Sequence, residues 1–286
     1  MKIIKFIFSV FIIFFTLKII ISLSKKSGIN LYDFFLNHYL LIISSIILQV
    51  IGVFLSTLRW RKSVQYFANN TYMIYEFSEF FYLTSRANII NNFLPSILIG
   101  DLSKLISPNK RNKKREMKFI IFDRLIGFFT LGNLGLLSML YIDLLNLNIY
   151  IILIITEILI LFLVYKIKFR FTKGLQENIL TLNFCKIVSI SFLSQFFFSL
   201  SLFILLNIKN YYDSFHNYFI SIFLNFLGMF PFSINGWGIR EWSANKISFN
   251  QLDSNNLITA SIIFGICISI SNLLIYIFLN IKKIKN

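Results

Sequence analysis

The sequence has few of the residues that build disulfide frameworks or metal sites. It contains two cysteines, Cys185 and Cys267, which lie far apart along the chain. It also contains two histidines, His38 and His216, and each flanks an apolar segment with no third ligand nearby. This scarcity argues against a disulfide-rich domain and predicts no metal site. Proline is rare too, with 3 residues in 286.

Acidic residues are scarce as well, with 12 Asp and Glu against 28 Lys and Arg, for a net charge of +16. Such a balance can indicate nucleic-acid binding. Most of the basic residues lie in short segments between apolar runs, however, where membrane topology and attraction to anionic headgroups account for them. We therefore expect no nucleic-acid partner. The sequence also has no Gly-rich nucleotide loop and no Ser/His/Asp arrangement, which argues against an ATP-driven pump acting alone. We expect no enzymatic activity and no cofactor.

Apolar residues, in contrast, make up 57% of the chain, and the mean hydropathy is +0.73. A water-soluble core of this length needs far less. A hydrocarbon core of about 30 Å takes about 20 helical residues to cross. Uncharged stretches of that length predict an all-α, multi-pass domain that covers residues 1–286, with spans at 3–23, 38–58, 119–142, 147–165, 187–208 and 257–280.

Two further apolar stretches, 87–100 and 217–239, do not fit this pattern. The first has 14 residues, which rise only about 21 Å as a helix, and Pro95 interrupts it. The second is longer, but proline and glycine leave only 217–230 as a continuous helix. We expect both stretches to be broken, at positions given by Pro95, Gly100, Pro231, Gly236 and Gly238.

The distribution of basic residues predicts how these broken stretches sit in the membrane. Lys and Arg concentrate at 59–62, 103–118, 166–186 and the C-terminal tail, and such segments favour the cytoplasmic side. With six spans and both termini inside, both broken stretches become re-entrant hairpins that enter from opposite faces. A weak likeness between Asn92-Phe93-Leu94-Pro95 and Asn225-Phe226-Leu227 leaves an inverted repeat open.

Ionisable residues lie beside these breaks and at the start of one span. A charge at membrane depth costs several kcal/mol unless it is paired or hydrated, so such residues often line a cavity or a pathway. The alternative is that Asp123 pairs with a neighbouring cation at headgroup level and only anchors a helix end. We interpret the set as one site, whose members are Arg86, Asp101, Lys104, Asp123, Arg124, Arg240 and Glu241.

The order and spacing of these residues resemble a known family. The chain carries, in order, Arg86-Ala87-Asn88, Leu94-Pro95, Gly100-Asp101 with Lys104, Asp123-Arg124-Leu125-Ile126-Gly127, and Pro231 followed by Gly236-Trp237-Gly238-Ile239-Arg240-Glu241. This pattern resembles the flippase-like family named for the transmembrane region of lysylphosphatidylglycerol synthase. The sequence departs from the family pattern at Ser96 and Ile99, where the family tends to place glycine, and at Lys104, where it places arginine.

The resemblance implies a cytoplasmic-membrane protein that moves an anionic phospholipid or a lipid-linked glycan between leaflets. It implies that the ionisable set binds the headgroup. Asp123 and Arg124 directly precede the 18 uncharged residues from Leu125 to Ile142, where a headgroup would enter, so Asp123→Asn and Arg124→Gln should abolish function while abundance and folding stay nearly intact. Two other interpretations remain open. One is a non-transporting membrane subunit that docks on a glycosyltransferase or a lipid-synthesis enzyme, and the other is a membrane-embedded transferase that uses Asp101 or Glu241 as a base.

Overall fold

The protein folds into a set of α-helices. The computed structural model describes residues 36–67, 76–92, 97–105, 110–153, 155, 182–206, 214–229, 239–247 and 254–285. Every regular element with defined bounds in these ranges is an α-helix: α1 Tyr39–Phe67, α2 Phe77–Asn91, α3 Ile97–Leu102, α4 Lys110–Tyr141, α5 Leu182–Leu206, α6 Ser214–Gly228, α7 Ile239–Ile247 and α8 Ser254–Lys285.

Proline placement explains part of this division. Pro95 falls between α2 and α3, Pro108 between α3 and α4, and Pro231 between α6 and α7. None of the eight helices therefore contains a proline, which would remove a backbone hydrogen bond and clash with the preceding turn. The helices α1, α4, α5 and α8 run for 25 to 32 residues as a result.

Four helical segments are long and apolar enough to cross a membrane: Tyr39–Gln65, Glu116–Tyr141, Phe184–Leu206 and Asn256–Ile281. They correspond to the spans predicted at 38–58, 119–142, 187–208 and 257–280. The predicted span 3–23 lies outside the described residues, and so does most of 147–165, of which residues 147–153 are helical. The chain is thus an α-helical protein with at least four segments typical of membrane spans.

Two of the remaining helices are too short for such a role. α2 and α6 have 15 residues each, which corresponds to a length of about 22 Å. α2 packs against α3, and α6 packs against α7. The predicted broken stretches are therefore two pairs of short helices that contact each other.

Many polar side chains are buried inside the bundle beside its apolar core, whereas large apolar side chains are exposed on its outside. On α1, Ser45 and Gln49 are fully buried, whereas Ile43 and Ile47 are 50% and 55% exposed. The Ser45 hydroxyl lies 2.7 Å from the hydroxyl of Ser201 on α5, and the Gln49 amide donates to the same Ser201 oxygen at 2.9 Å. Small and hydrogen-bonding residues at helix contacts, with large apolar residues facing outward, are typical of helices packed in lipid.

Helix α1 is longer than the sequence predicted, and its extra residues pack inside the bundle. The sequence predicted a span that ends at residue 58, before the basic cluster, but the helix continues to Phe67. It packs against α2, α4, α5 and α8, and its continuation brings Arg59 into the interior, where the residue is 6% exposed. Arg59 is therefore an interior residue rather than part of a surface loop.

Candidate functional site

A cavity of about 210 Å³, lined by both polar and apolar side chains, lies among the helices. Its wall includes the charged residues Arg59, Lys104, Asp123, Arg124 and Arg240. It also includes the amides Asn88, Asn91, Asn92, Gln195, Asn225 and Asn272. These residues come from helices that are distant along the chain, so the cavity is a product of the whole bundle.

A buried ion pair between α1 and α4 forms one side of the cavity. The Arg59 Nε donates to Asp123 Oδ1 at 2.8 Å, and Nη2 donates to Asp123 Oδ2 at 3.1 Å. The side chains are 7% and 5% exposed. The third guanidinium nitrogen, Nη1, donates to the Ser191 hydroxyl on α5 at 2.8 Å, and Ser191 in turn lies 2.7 Å from the Thr130 hydroxyl. Helices α1, α4 and α5 are thus tied together by one charge-assisted network.

A second carboxylate, Asp101, holds two cations at once. Its Oδ1 accepts from Lys104 Nζ at 2.9 Å and from Arg124 Nη2 at 2.7 Å, and its Oδ2 accepts from Arg124 Nε. Asp101 is 1% exposed, whereas 23% of the Arg124 side chain remains accessible. Burial raises the pKa of Asp101, but Lys104 and Arg124 outweigh it and hold the pKa at about 2. The carboxylate is therefore ionised at neutral pH.

The close approach of α3 to α2 positions Asp101. The Gly100 backbone N–H donates to Asn91 Oδ1 at 3.0 Å. A Cβ atom added at Gly100 would collide with that oxygen and with the backbone carbonyl of Ala87, so only glycine fits here. The sequence predicted that Gly100 marks a break. It lies inside α3 instead, where the absence of a side chain allows the two helices to touch.

Arg240 brings a further cation to the cavity from α7. It is 2% exposed, and its guanidinium lies 5.0 Å from the centre of the Phe264 ring on α8. The next residue, Glu241, accepts from the Ser261 hydroxyl at 2.8 Å. Adjacent side chains on α7 therefore have different surroundings, with Arg240 at the cavity wall and Glu241 bonded to α8.

The predicted site residues are thus partly assembled. Lys104, Asp123, Arg124 and Arg240 line the cavity, and Asp101 bonds to two of them. Arg86 is not among the lining residues. It donates to the backbone carbonyl of Ser103 and lies 6.0 Å from the centre of the Tyr82 ring. Of the predicted breaks, Pro95, Pro231, Gly236 and Gly238 lie outside the described residues.

The sequence did not predict Arg59 or most of the amides at this site. Asn88 donates to Asn272 at 3.0 Å, Asn92 donates to Ser269 at 3.2 Å, and Asn225 donates to Ser199 at 3.3 Å. The available signal was the presence of asparagine within apolar segments, since an amide in a membrane span needs a polar partner.

No protein-family model matches this chain, and no curated protein matches it. The class of the protein accordingly follows from its own composition and structure. It is an α-helical protein with membrane-span helices and an interior cavity rich in cations and amides. The resemblance to the flippase-like family stays a prediction from the sequence.

Proposed function

We propose that this protein is a member of the flippase-like family and moves an anionic phospholipid or a lipid-linked sugar between the leaflets of the cell membrane. The observation that carries the proposal is the cavity, in which four cationic side chains meet among apolar helices. Cations at membrane depth are costly and usually serve a substrate or ion pathway. An anionic headgroup would offset that cost.

The side chains that line the cavity suit a headgroup that combines a phosphate with the hydroxyl groups of glycerol or a sugar. Guanidinium groups bind phosphate oxygens in a bidentate manner, and Arg59, Arg124 and Arg240 supply three of them. The asparagine amides can donate to and accept from hydroxyls of glycerol or sugar. The volume is below the range of about 300 to 1,000 Å³ that encloses a drug-sized molecule, so the cavity suits a headgroup while acyl chains remain in lipid.

Ion-pair exchange offers a mechanism for loading and release. Asp123 pairs with Arg59 and Asp101 pairs with Arg124, which limits the cost of burying these charges before a headgroup binds. An arriving phosphate would compete with Asp101 for Arg124, whose side chain is the more accessible partner. Both carboxylates lie in ion pairs, an arrangement that favours a binding role over that of a catalytic base.

Neutral substitutions of the cavity arginines test this proposal. Arg124→Gln and Arg240→Gln should each slow the movement of fluorescent phosphatidylglycerol in proteoliposomes by about tenfold to a hundredfold, because each removes a charged hydrogen-bond donor. The measurement is the fraction of label that dithionite added outside can quench over time. Lys62→Gln is the matched control, since Lys62 lies on α1 three residues after Arg59 but is exposed.

If Lys62→Gln slows lipid movement equally, the effect comes from the overall positive charge of the protein and not from the cavity. If the unsubstituted protein moves no lipid, but binds a glycan- or lipid-synthesis enzyme, the docking-subunit interpretation would replace this one. The two outcomes are separated by testing the same preparation for lipid movement and for a stable complex.

The proposed topology is six spans, two re-entrant hairpins and cytoplasmic termini, in a possible inverted-repeat arrangement. Single-cysteine labelling checks it. A cysteine at position 112 should be protected from a membrane-impermeant reagent added outside, whereas one at position 254 should react, because basic residues concentrate around position 112. Labelling of position 112 from outside would mean that residues 77–102 cross the membrane and would exclude the re-entrant model.

A further inference from the structure

The cations that line the cavity lie at two depths in the bundle. On α1, Arg59 follows Gln49 by ten residues, which corresponds to about 15 Å along the helix axis. The Gln49 amide donates to the backbone carbonyl of Phe264 at 3.4 Å, and the Arg240 guanidinium lies 5.0 Å from the centre of the Phe264 ring. Arg240 is therefore near the level of Gln49, about 15 Å from the level of Arg59.

Helix α4 gives an independent measure of the same separation. Gly135 follows Asp123 by twelve residues, or about 18 Å. A Cβ atom added at Gly135 would collide with the side chain of Phe226 on α6, and one added at Gly228, two residues further on, would lie 3.1 Å from Cδ of Arg240. Arg240 is thus displaced from Asp123 toward the C-terminal end of α4 by a similar distance.

The two levels lie toward opposite ends of the spans. Ile142, just after α4, packs against the same apolar cluster as Leu257, near the start of α8. Helix α8 therefore begins at the end of the bundle where α4 finishes. Asp123 is seven residues into the α4 span and Phe264 is eight residues into the α8 span, which places them about 10 Å and 12 Å from opposite ends.

Amide side chains line the cavity between the two levels. Asn92 donates to Ser269, which lies about 8 Å further along α8 than Phe264. Asn272 lies about 12 Å further along than Phe264 and accepts from Asn88. Asn88, Asn92 and Asn272 all line the cavity. Amides can both donate to and accept from phosphate and hydroxyl groups, so a ligand would find polar partners between the two levels as well.

Building on the proposed translocator role, we propose that the cavity holds two phosphate-binding subsites. The first subsite is formed by Arg59, Lys104 and Arg124, and the second by Arg240 beside the ring of Phe264. A phosphate oxygen contacts donors within about 3 Å, so one phosphate cannot bind both subsites at once. A headgroup that crosses the bundle would therefore bind the two subsites in turn.

Two subsites would lower the cost of moving a charge through the bundle. An unpaired charge at membrane depth costs several kcal/mol. With a cation near each end of the spans, the phosphate would be without a cationic partner only over the distance between the subsites, which is about 15 Å. Each subsite would also be the nearer one for a headgroup that arrives from its own side.

A distance measurement tests the two subsites. A nitroxide is attached to a cysteine that replaces Lys113, an exposed residue of α4, in a protein whose exposed Cys185 is replaced by serine. A phospholipid with a second nitroxide on its headgroup phosphate is added, and pulsed electron paramagnetic resonance gives the distance between the labels. Asp123 lies ten residues from position 113 and Gly135 lies twenty-two, so the second subsite should give a distance about 15 Å longer than the first.

Substitutions assign each distance to its subsite. Arg124→Gln should favour the longer distance and Arg240→Gln the shorter one, so the two variants should differ by about 15 Å whichever subsite the unsubstituted protein prefers. Lys62→Gln should match the unsubstituted protein, and the double variant defines the signal from surrounding lipid. If Arg240→Gln does not fold, Arg240→Lys loses bidentate contact with phosphate and should shift the population in the same direction. The same distance in both single variants would overturn the inference, because one site would then use both arginines.

Further results separate this inference from the proposed function. Movement of fluorescent phosphatidylglycerol together with a single distance in every variant would keep the translocator and reject the two subsites. A soluble phosphate ester that carries a nitroxide identifies the source of the phosphate. If this ester gives both distances while the labelled lipid gives none, the ligand is a soluble phosphate compound, and the translocator proposal fails while the two subsites stand. Binding of neither probe would overturn both.

Discussion

Asp123→Asn is expected to lower the free energy of unfolding by about 3–5 kcal/mol, because it leaves the guanidinium of Arg59 buried without its counter-ion. The Arg59 side chain is 7% exposed and donates two hydrogen bonds to Asp123. From the sequence alone, the same substitution is expected to spare folding. The contact with Arg59 reverses that expectation. The measurement is thermal unfolding in detergent, together with the amount of protein in the membrane.

A double-mutant cycle isolates the pair. Arg59→Gln with Asp123→Asn replaces two charges by two amides and should recover much of the stability lost in Asp123→Asn. Arg124→Gln is the contrasting single substitution, since Asp101 keeps Lys104 as a partner, and it should fold nearly normally. Normal accumulation and stability of Asp123→Asn would show that Arg59 finds compensation elsewhere, and the pair would then not hold the helices together.

Gly100→Ala should abolish function and destabilise the protein, although it adds only one methyl group. The added Cβ would overlap the backbone carbonyl of Ala87, which cannot move without displacing α2. Overpacking of this kind costs about 1–3 kcal/mol, and it also separates α3 from α2 and carries Asp101 away from Arg124. Lipid movement in proteoliposomes and thermal unfolding are measured together.

Gly52→Ala is the matched control for this prediction. A Cβ there would approach the ring of Phe198 at 3.0 Å, and a ring at the end of a side chain can shift. Its effect on both measurements should be smaller. If Gly100→Ala behaves like Gly52→Ala, the contact between α2 and α3 is looser than the structure has it.

Much of the fold could be predicted because lipid imposes simple rules. Uncharged stretches of sufficient length gave four segments that are helical and apolar enough to span a membrane, and the three prolines fall between described helices. The C-terminal end of α1 was harder to predict. An arginine after an apolar run has the same local sequence whether the helix ends there or continues, and only its partner Asp123, 64 positions away, decides that Arg59 is buried.

The sequence predicted several residues of the candidate site, but it could not predict which of their charges form ion pairs. Charges near the breaks identified Lys104, Arg124 and Arg240, which the structure brings to one cavity. Which carboxylate meets which cation depends on helix packing, so Asp101 could not be assigned to Arg124 or Asp123 to Arg59 from spacing. The role of Gly100 could not be predicted for the same reason. A glycine shortly after Pro95 suggests a break in the helix, whereas its contact with α2 depends on how the two helices pack.

The double attachment of Asp101 has a consequence for the order of events at the site. Lys104 and Arg124 both pair with this carboxylate. In the proposed translocator, one of them would move toward an incoming headgroup while the other stays in place. Asp101 then keeps at least one cationic partner throughout the exchange. The barrier to exchange is therefore the cost of moving one side chain, which is smaller than the cost of an unpaired carboxylate inside the bundle. In the proposed translocator, such a site would bind and release its headgroup quickly, although its ion pairs are complete before binding.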